Sequence, residues 1–227
     1  MADDLLADAH AEPGGPSVVH RLGAVTVRKA SVSREDNNAY LITSGDGSQL
    51  LVDAADDPER VLALVAEGTG SLPAVVTTHR HWDHHRALAA VVEATAAQVL
   101  AGAEDARELP VAATRTLSHG DAIVVGDVEL EVVALRGHTP GSVALALRED
   151  DDGPQPGRVH LFTGDSLFPG GVGRTWSPDD FRMLITDVEV RVFARFDDDT
   201  RVYPGHGDDT TLGAERPHLP EWRARGW

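Results

Sequence analysis

The chain has 227 residues, 41% of them hydrophobic and 25% charged, with a formal net charge of −17 and no cysteine. Such a length and composition suit a globular protein with a sizeable core. The lack of thiols excludes disulfides, zinc–thiolate sites and cysteine nucleophiles, so any metal must be held by histidine and carboxylate; the negative field repels phosphate backbones and disfavours nucleic acid as a partner.

Residues 1–16 are acidic and hold Pro13, Gly14, Gly15 and Pro16, which predicts a loose N-terminal arm. This stretch has neither the basic start nor the apolar run of a signal peptide, and no apolar run elsewhere could span a bilayer. The expected location is therefore cytoplasmic, away from membranes. Strands are predicted at residues 25–28, 40–43 and 50–52, with Ser44-Gly45-Asp46-Gly47 as a hairpin turn. Residues 58–67 read as a helix, capped by Asp57 and opened by Pro58. A short buried strand follows at 74–77. Residues 82–95 carry apolar side chains at helical spacing, and 99–100 begin another strand.

The second half continues in the same style. Residues 122–125, 128–135, 143–147 and 159–162 read as consecutive strands, and the acidic stretch 149–158, with its glycines and prolines, as a surface loop. Residues 178–196 are mostly helical in pattern, with Ser177 as cap; 201–203 form a last strand, and the tail from Leu212 is part helical. No linker or short-period repeat interrupts the text, so residues 1–227 are expected to form a single domain. Strand runs with interspersed helices in both halves predict two β-sheets packed face to face with helices outside.

The segment Thr77-Thr78-His79-Arg80-His81-Trp82-Asp83-His84 lies between a predicted strand and a predicted helix. Alternate residues at a strand end can point the same way, so His79 and His81 can share one metal ion. Asp83 and His84 then begin the helix and can face a second. Nitrogen and oxygen donors without sulfur suit zinc, manganese or iron. A histidine-rich surface loop without metal is the plain alternative, but this many ligand-type side chains at this spacing weigh against it. Three more signals follow. His138 stands in Gly137-His138-Thr139-Pro140-Gly141-Ser142, Asp165 in Thr163-Gly164-Asp165-Ser166 and His206 in Tyr203-Pro204-Gly205-His206-Gly207. In each, a strand delivers the residue into a glycine-flanked loop, the usual place for a site on a rigid scaffold.

This ordered set resembles the metallo-β-lactamase superfamily in its glyoxalase II-like branch, over roughly residues 20–216. Residues 167–174 (Leu-Phe-Pro-Gly-Gly-Val-Gly-Arg) look like that branch too, as do Gly205-His206-Gly207 with Thr210-Thr211-Leu212-Gly213 and Glu215. The resemblance implies an α+β, four-layer αββα sandwich. It implies that His79, His81 and His138 bind one divalent ion, that Asp83, His84 and His206 bind a second, and that Asp165 bridges them. The expected cofactors are two divalent ions, most often zinc in such sites, with iron or manganese as alternatives. The expected function is hydrolysis of a small thioester, ester or lactone by a hydroxide generated at the metal pair, with Asp83 also orienting the nucleophile. A mononuclear iron persulfide dioxygenase, using His79, His138 and Asp165, is the alternative; a non-catalytic metal-binding protein is a third reading. The expected partner is a small-molecule substrate, with the oligomeric state left open.

Other residues read less sharply. Asp53 could orient a ligand histidine or cap a turn. Tyr40 reads as strand core, His85 as a helix-surface residue and His119 as a turn residue. Arg174 suits loop stabilisation or an anionic substrate, while His10, His20, His160 and His218 carry no motif. The sequence departs from the family where His85-Arg86-Ala87 follows the Asp-His pair, a place where glycine is frequent. It also ends shortly after His206, without the basic helical region by which classical glyoxalase II enzymes hold glutathione. Weak activity on the glutathione thioester is therefore expected.

Overall fold

The computed structural model describes residues 9–226. Seven strands form the first sheet in sequence order: β1 (Val18–Leu22), β2 (Val25–Ser31), β3 (Asn38–Thr43), β4 (Gln49–Val52), β5 (Ala74–Thr77), β6 (Gln98–Gly102) and β7 (Arg115–Leu117). The pairs up to β4 are antiparallel, joined by short turns. From β4 onward the pairing is parallel, so each strand needs a crossover. Helix α1 (Pro58–Glu67) and helix α2 (Leu88–Thr95) supply two of them. The Asp57 side chain accepts from the Arg60 N–H and caps α1.

The second sheet contains β8 (Ala122–Val125), β9 (Val128–Ala134), β10 (Val143–Arg148) and β11 (Val159–Gly164). A small hairpin of β12 (Leu167–Phe168) and β13 (Gly171–Val172) stands apart. Helix α3 (Pro178–Val188), capped by Ser177 and continued by a π-turn over Glu189–Phe193, leads to β14 (Arg201–Pro204), which pairs parallel to β11. Strand β15 (Thr210–Thr211) closes that edge, and the chain ends in α4 (Leu212–Glu215) and α5 (Leu219–Arg225).

Period-two patterning places the apolar side chains of both sheets on both faces. Between the sheets, Val27, Tyr40, Ile42, Leu50 and Val76 meet Leu130, Val132, Leu145, Phe162 and Tyr203. On the outer face of the first sheet, Leu41, Leu51 and Val75 pack on Val61 and Leu64 of α1 and Leu88 and Val91 of α2. On the outer face of the second, Val133, Leu161 and Val202 pack on Leu184 and Val188 of α3 and Trp222 of α5. The result is the four-layer αββα sandwich expected from the sequence. Among the described residues no helix is long and apolar enough to cross a membrane.

Two local expectations change. The helical pattern over 82–95 is not one helix. Trp82–His84 form a single 3₁₀ turn, and α2 starts only at Leu88. The Arg86 and Ala87 N–H groups donate to Ala55 O (3.0 Å) and Ala54 O (3.1 Å) instead of to carbonyls of the preceding turn. The arm expected over 1–16 lies outside the described residues for 1–8, and its remainder is held. Ala11 is buried, Gly14 N–H donates to Ser31 O, and Ala9 O accepts from the Lys29 ammonium.

Candidate metal centre

The C-terminal ends of β5, β11 and β14 and the turn after β9 open onto one edge of the sandwich. Their loops carry His79 to His84, Asp165, His206 and His138 respectively. All seven side chains meet there. Among the described residues, His79, His81 and His138 form one group of donor atoms lying within 4.8 Å of one another, Asp83, His84 and His206 form another, and His79, His84 and Asp165 form a third that spans the two. His79 Nε2 stands 3.1 Å from His81 Nδ1 in the first. In the second, His84 Nε2 is 3.2 Å from His206 Nε2, and Asp83 Oδ2 is 3.3 Å from the same atom. Asp165 faces both groups: Oδ2 is 3.7 Å from His138 Nε2 and 3.6 Å from His206 Nε2, while Oδ1 is 3.2 Å from His84 Nε2.

Hydrogen bonds from the rear of the rings decide which nitrogen faces inward. His138 Nδ1 donates to Arg174 O (2.6 Å), His206 Nδ1 to Glu35 O (2.9 Å) and His84 Nδ1 to Asp53 Oδ2 (2.9 Å). Each leaves an Nε2 lone pair pointing into the site, the arrangement that metal-ligating histidines require. Asp53, at φ 59°, also accepts from Thr78 Oγ1 (2.8 Å), which in turn stands 3.1 Å from His79 Nδ1. One buried carboxylate thus orients a histidine in each group, and the two readings left open for Asp53 resolve in favour of the orienting one.

Two positioning residues have no sequence motif. Asn37 Nδ2 donates to Asp83 O (3.1 Å) and Oδ2 (3.0 Å), which holds the carboxylate toward the second group. Asp105 is fully buried and accepts from Arg80 N–H (3.0 Å), Gly141 N–H (2.9 Å) and the Thr139 hydroxyl. It ties the loop of His79 and His81 to that of His138. Both residues bond to partners distant in sequence, and the only signal available was polar side chains beside predicted strands. His85 is buried rather than on a helix surface, its Nε2 bonding Arg80 O. Tyr40 sits in the core between the sheets, and its hydroxyl donates to Pro204 O. His10, His20, His119, His160 and His218 lie outside both groups.

The electrostatics oppose one another. Burial, and then repulsion from the neighbouring imidazoles, holds His79 well below the usual histidine range. Burial also disfavours charge on His84, but the carboxylates of Asp165 and Asp53 outweigh it and raise that ring. The His206 contact, only partly offset by burial, holds Asp83 well below the usual carboxylate range. His138 Nε2 and Asp165 Oδ1 are buried with no hydrogen-bond partner. Buried polar atoms without partners are costly, and here they point at the space between the two groups. Imidazole and carboxylate donors, sulfur-free and converging, fit a pair of divalent transition ions.

Glycine makes the approach possible. A Cβ on Gly205 would lie 2.2 Å from Asp165 Oδ1 and 2.6 Å from His84 Cε1. Two tryptophans are exposed near the first loop of the centre: Trp82, at 64%, follows His81 in the chain, and Trp176, at 54%, stands with its ring 6.2 Å from that of His81. Arg86 stacks on the first and Arg174 on the second. A cleft of about 430 Å³ adjoins His138 through the Arg174 backbone and is bounded by Val172, Arg174, Trp176, Phe181 and Arg225.

Residues 32–206 match the sequence model of the metallo-beta-lactamase superfamily. Hydroxyacylglutathione hydrolase from Jannaschia sp. is 37% identical over 62% of this chain and 51% of its own length. The chain spans little more than half the length of the first curated relatives it matches. Among solved structures, ETHE1 from Myxococcus xanthus superposes with a TM-score of 0.73 at 30% identity, covering 87% of this chain and 84% of that one. TTHA1623, determined in a di-iron-bound form, superposes at 0.65 with 34% identity, covering 83% and 96%.

Proposed function

The chain belongs to the metallo-beta-lactamase superfamily, and from that premise we propose that it is a binuclear metal-dependent hydrolase acting on a small thioester, ester or lactone. The observation that carries the reading is the convergence of two donor triads with one carboxylate, Asp165, set against both. His79, His81 and His138 would hold one ion, Asp83, His84 and His206 the other, with Asp165 shared. A bound pair of divalent ions supplies Lewis acidity and lowers the pKa of water toward neutrality.

The chain's own groups set up the rest. Asp83 stays ionised, is fixed by Asn37 and keeps an exposed side, so its carboxylate can orient a water molecule by accepting a hydrogen bond from it. The rear hydrogen bonds of His84, His138 and His206 fix ring orientation, so little reorganisation is needed on ligand binding. Trp176 stands beside His81 as an apolar wall, and the adjoining cleft offers room for a small acyl or leaving group. No serine or cysteine nucleophile is needed.

The test is a screen of metal-quantified protein against thioesters, esters, lactones and β-lactams, with oxygen uptake on a persulfide measured in parallel. Hydrolysis that a chelator abolishes and added metal restores is the expected outcome. Oxygen consumption with a single bound iron, and no hydrolysis, would replace the hydrolase reading with the dioxygenase one.

A further inference from the structure

Lys29 is the only lysine in the chain and is completely buried. A buried ammonium is costly unless every one of its donors is used. Here all three are: Nζ donates to Gly207 O at 2.6 Å, Ala9 O at 2.7 Å and Asp209 Oδ1 at 2.8 Å. Asp209 is itself buried, and its other oxygen accepts from Arg201 Nε (3.0 Å) and Nη2 (2.8 Å). Gly207 directly follows His206, at φ 67°, where the chain reverses. The ammonium therefore grips the loop on the C-terminal side of His206, at one backbone carbonyl and one side chain. On the other side of the loop, Asn38 N–H donates to Gly205 O (2.8 Å), and Glu35 O holds the ring nitrogen.

Nothing comparable reaches from Lys29 to the first donor group. The loops of His79, His81 and His138 are tied by Asp105 instead. The loop of His206 and the loops of His79, His81 and His138 are thus tied by separate buried charges, while Asp53 orients a ring in each group.

From this arrangement we infer that Lys29 is a positioning residue for His206, and that it sets the affinity of the Asp83, His84 and His206 group for its metal ion without setting that of the other group. The inference rests on the metal reading given above. It also gives residues 9–16 a role: through Ala9 O, and through Asp209 N–H donating to the same carbonyl (3.0 Å), the N-terminal segment shares the brace.

The experiment is a Zn²⁺ titration of the full chain, stripped with a chelator, against a chromophoric competitor, repeated with Co²⁺ to follow the ligand-field spectrum. Wild type should bind in two resolvable steps. Lys29→Met should weaken one step by about tenfold or more and leave the other unchanged, in keeping with what loss of supporting contacts costs at metal sites. Lys29→Arg keeps the charge opposite Asp209, but its planar fork cannot reproduce the three-way geometry. It should fold and show the same selective loss, which guards against failure of the methionine variant to fold. Wild-type affinity at both steps in either folded variant would overturn the inference. So would equal weakening of both steps, or unfolding of both variants, since each would make Lys29 a support of the whole fold. A wild type with no second step would sink the metal reading itself, a distinct result seen before any variant is made.

Discussion

Asp165 is pressed against histidines from three loops, and Gly205 lies close against it. Burial alone would raise its pKa, but the surrounding imidazoles outweigh burial and keep it ionised. Asp165→Ala should reduce metal content from about two ions per chain to about one and remove nearly all hydrolysis; retention of both ions with normal turnover would end the bridging assignment. A second prediction concerns His20, away from the metal groups. Burial, then the nearby Arg201, push it from 6.5 down to about 3. The unfolded chain therefore takes up a proton below about pH 6.5 that the folded chain refuses until about pH 3. Stability should fall as the pH drops through that window, by about 2 kcal/mol at about pH 5 from this group alone. Denaturant titrations should show a shallower acid loss for His20→Gln; an unchanged slope would remove His20 from the account. The residues legible from sequence were those carried by short motifs, the histidine-rich run 79–84 and the glycine-flanked His138, Asp165 and His206. Asn37, Asp105 and Lys29 were not, because each acts on a partner brought close only by the fold.

At the scale of elements, strands were legible because buried runs of β-branched residues sit between clear turn signals; β5 and β8 have the bounds read from sequence. Strands β1, β7, β12, β13 and β15 escaped notice, being short or partly exposed with weak alternation. The helix read over 82–95 failed for a different reason. Periodicity reports which face is apolar, not whether tertiary carbonyls such as Ala54 O and Ala55 O will capture the N–H groups of the next turn. That break places Asp83 and His84 on a separate turn, so the loop sets their orientation and the helix does not. The loop after β14 is tight where Gly205 meets Asp165 and His84. Gly205→Ala should cost the centre its second ion and lower stability by more than about 1 kcal/mol, because the methyl group overlaps both Asp165 and His84. Thermal melts with metal analysis check this, and a variant with wild-type metal content would show that the loop can yield.

For the molecule as a whole, the formal net charge of −17 opposes multiply charged anions at long range. Against it stand Arg174 and Arg225 at the cleft beside His138, a local positive feature that composition did not reveal. The long-range field leads us to predict higher kcat/KM for small neutral thioesters or lactones than for S-D-lactoylglutathione under identical metal loading. The reverse preference would assign anion recognition to those two arginines. The central claim remains that two ions act together in one centre. It is tested most directly by adding Zn²⁺ stepwise to stripped protein and recording hydrolysis of the best substrate against equivalents bound. The account predicts that activity rises to its maximum only as occupancy approaches two ions per chain. Full activity at a stable occupancy of one would contradict it.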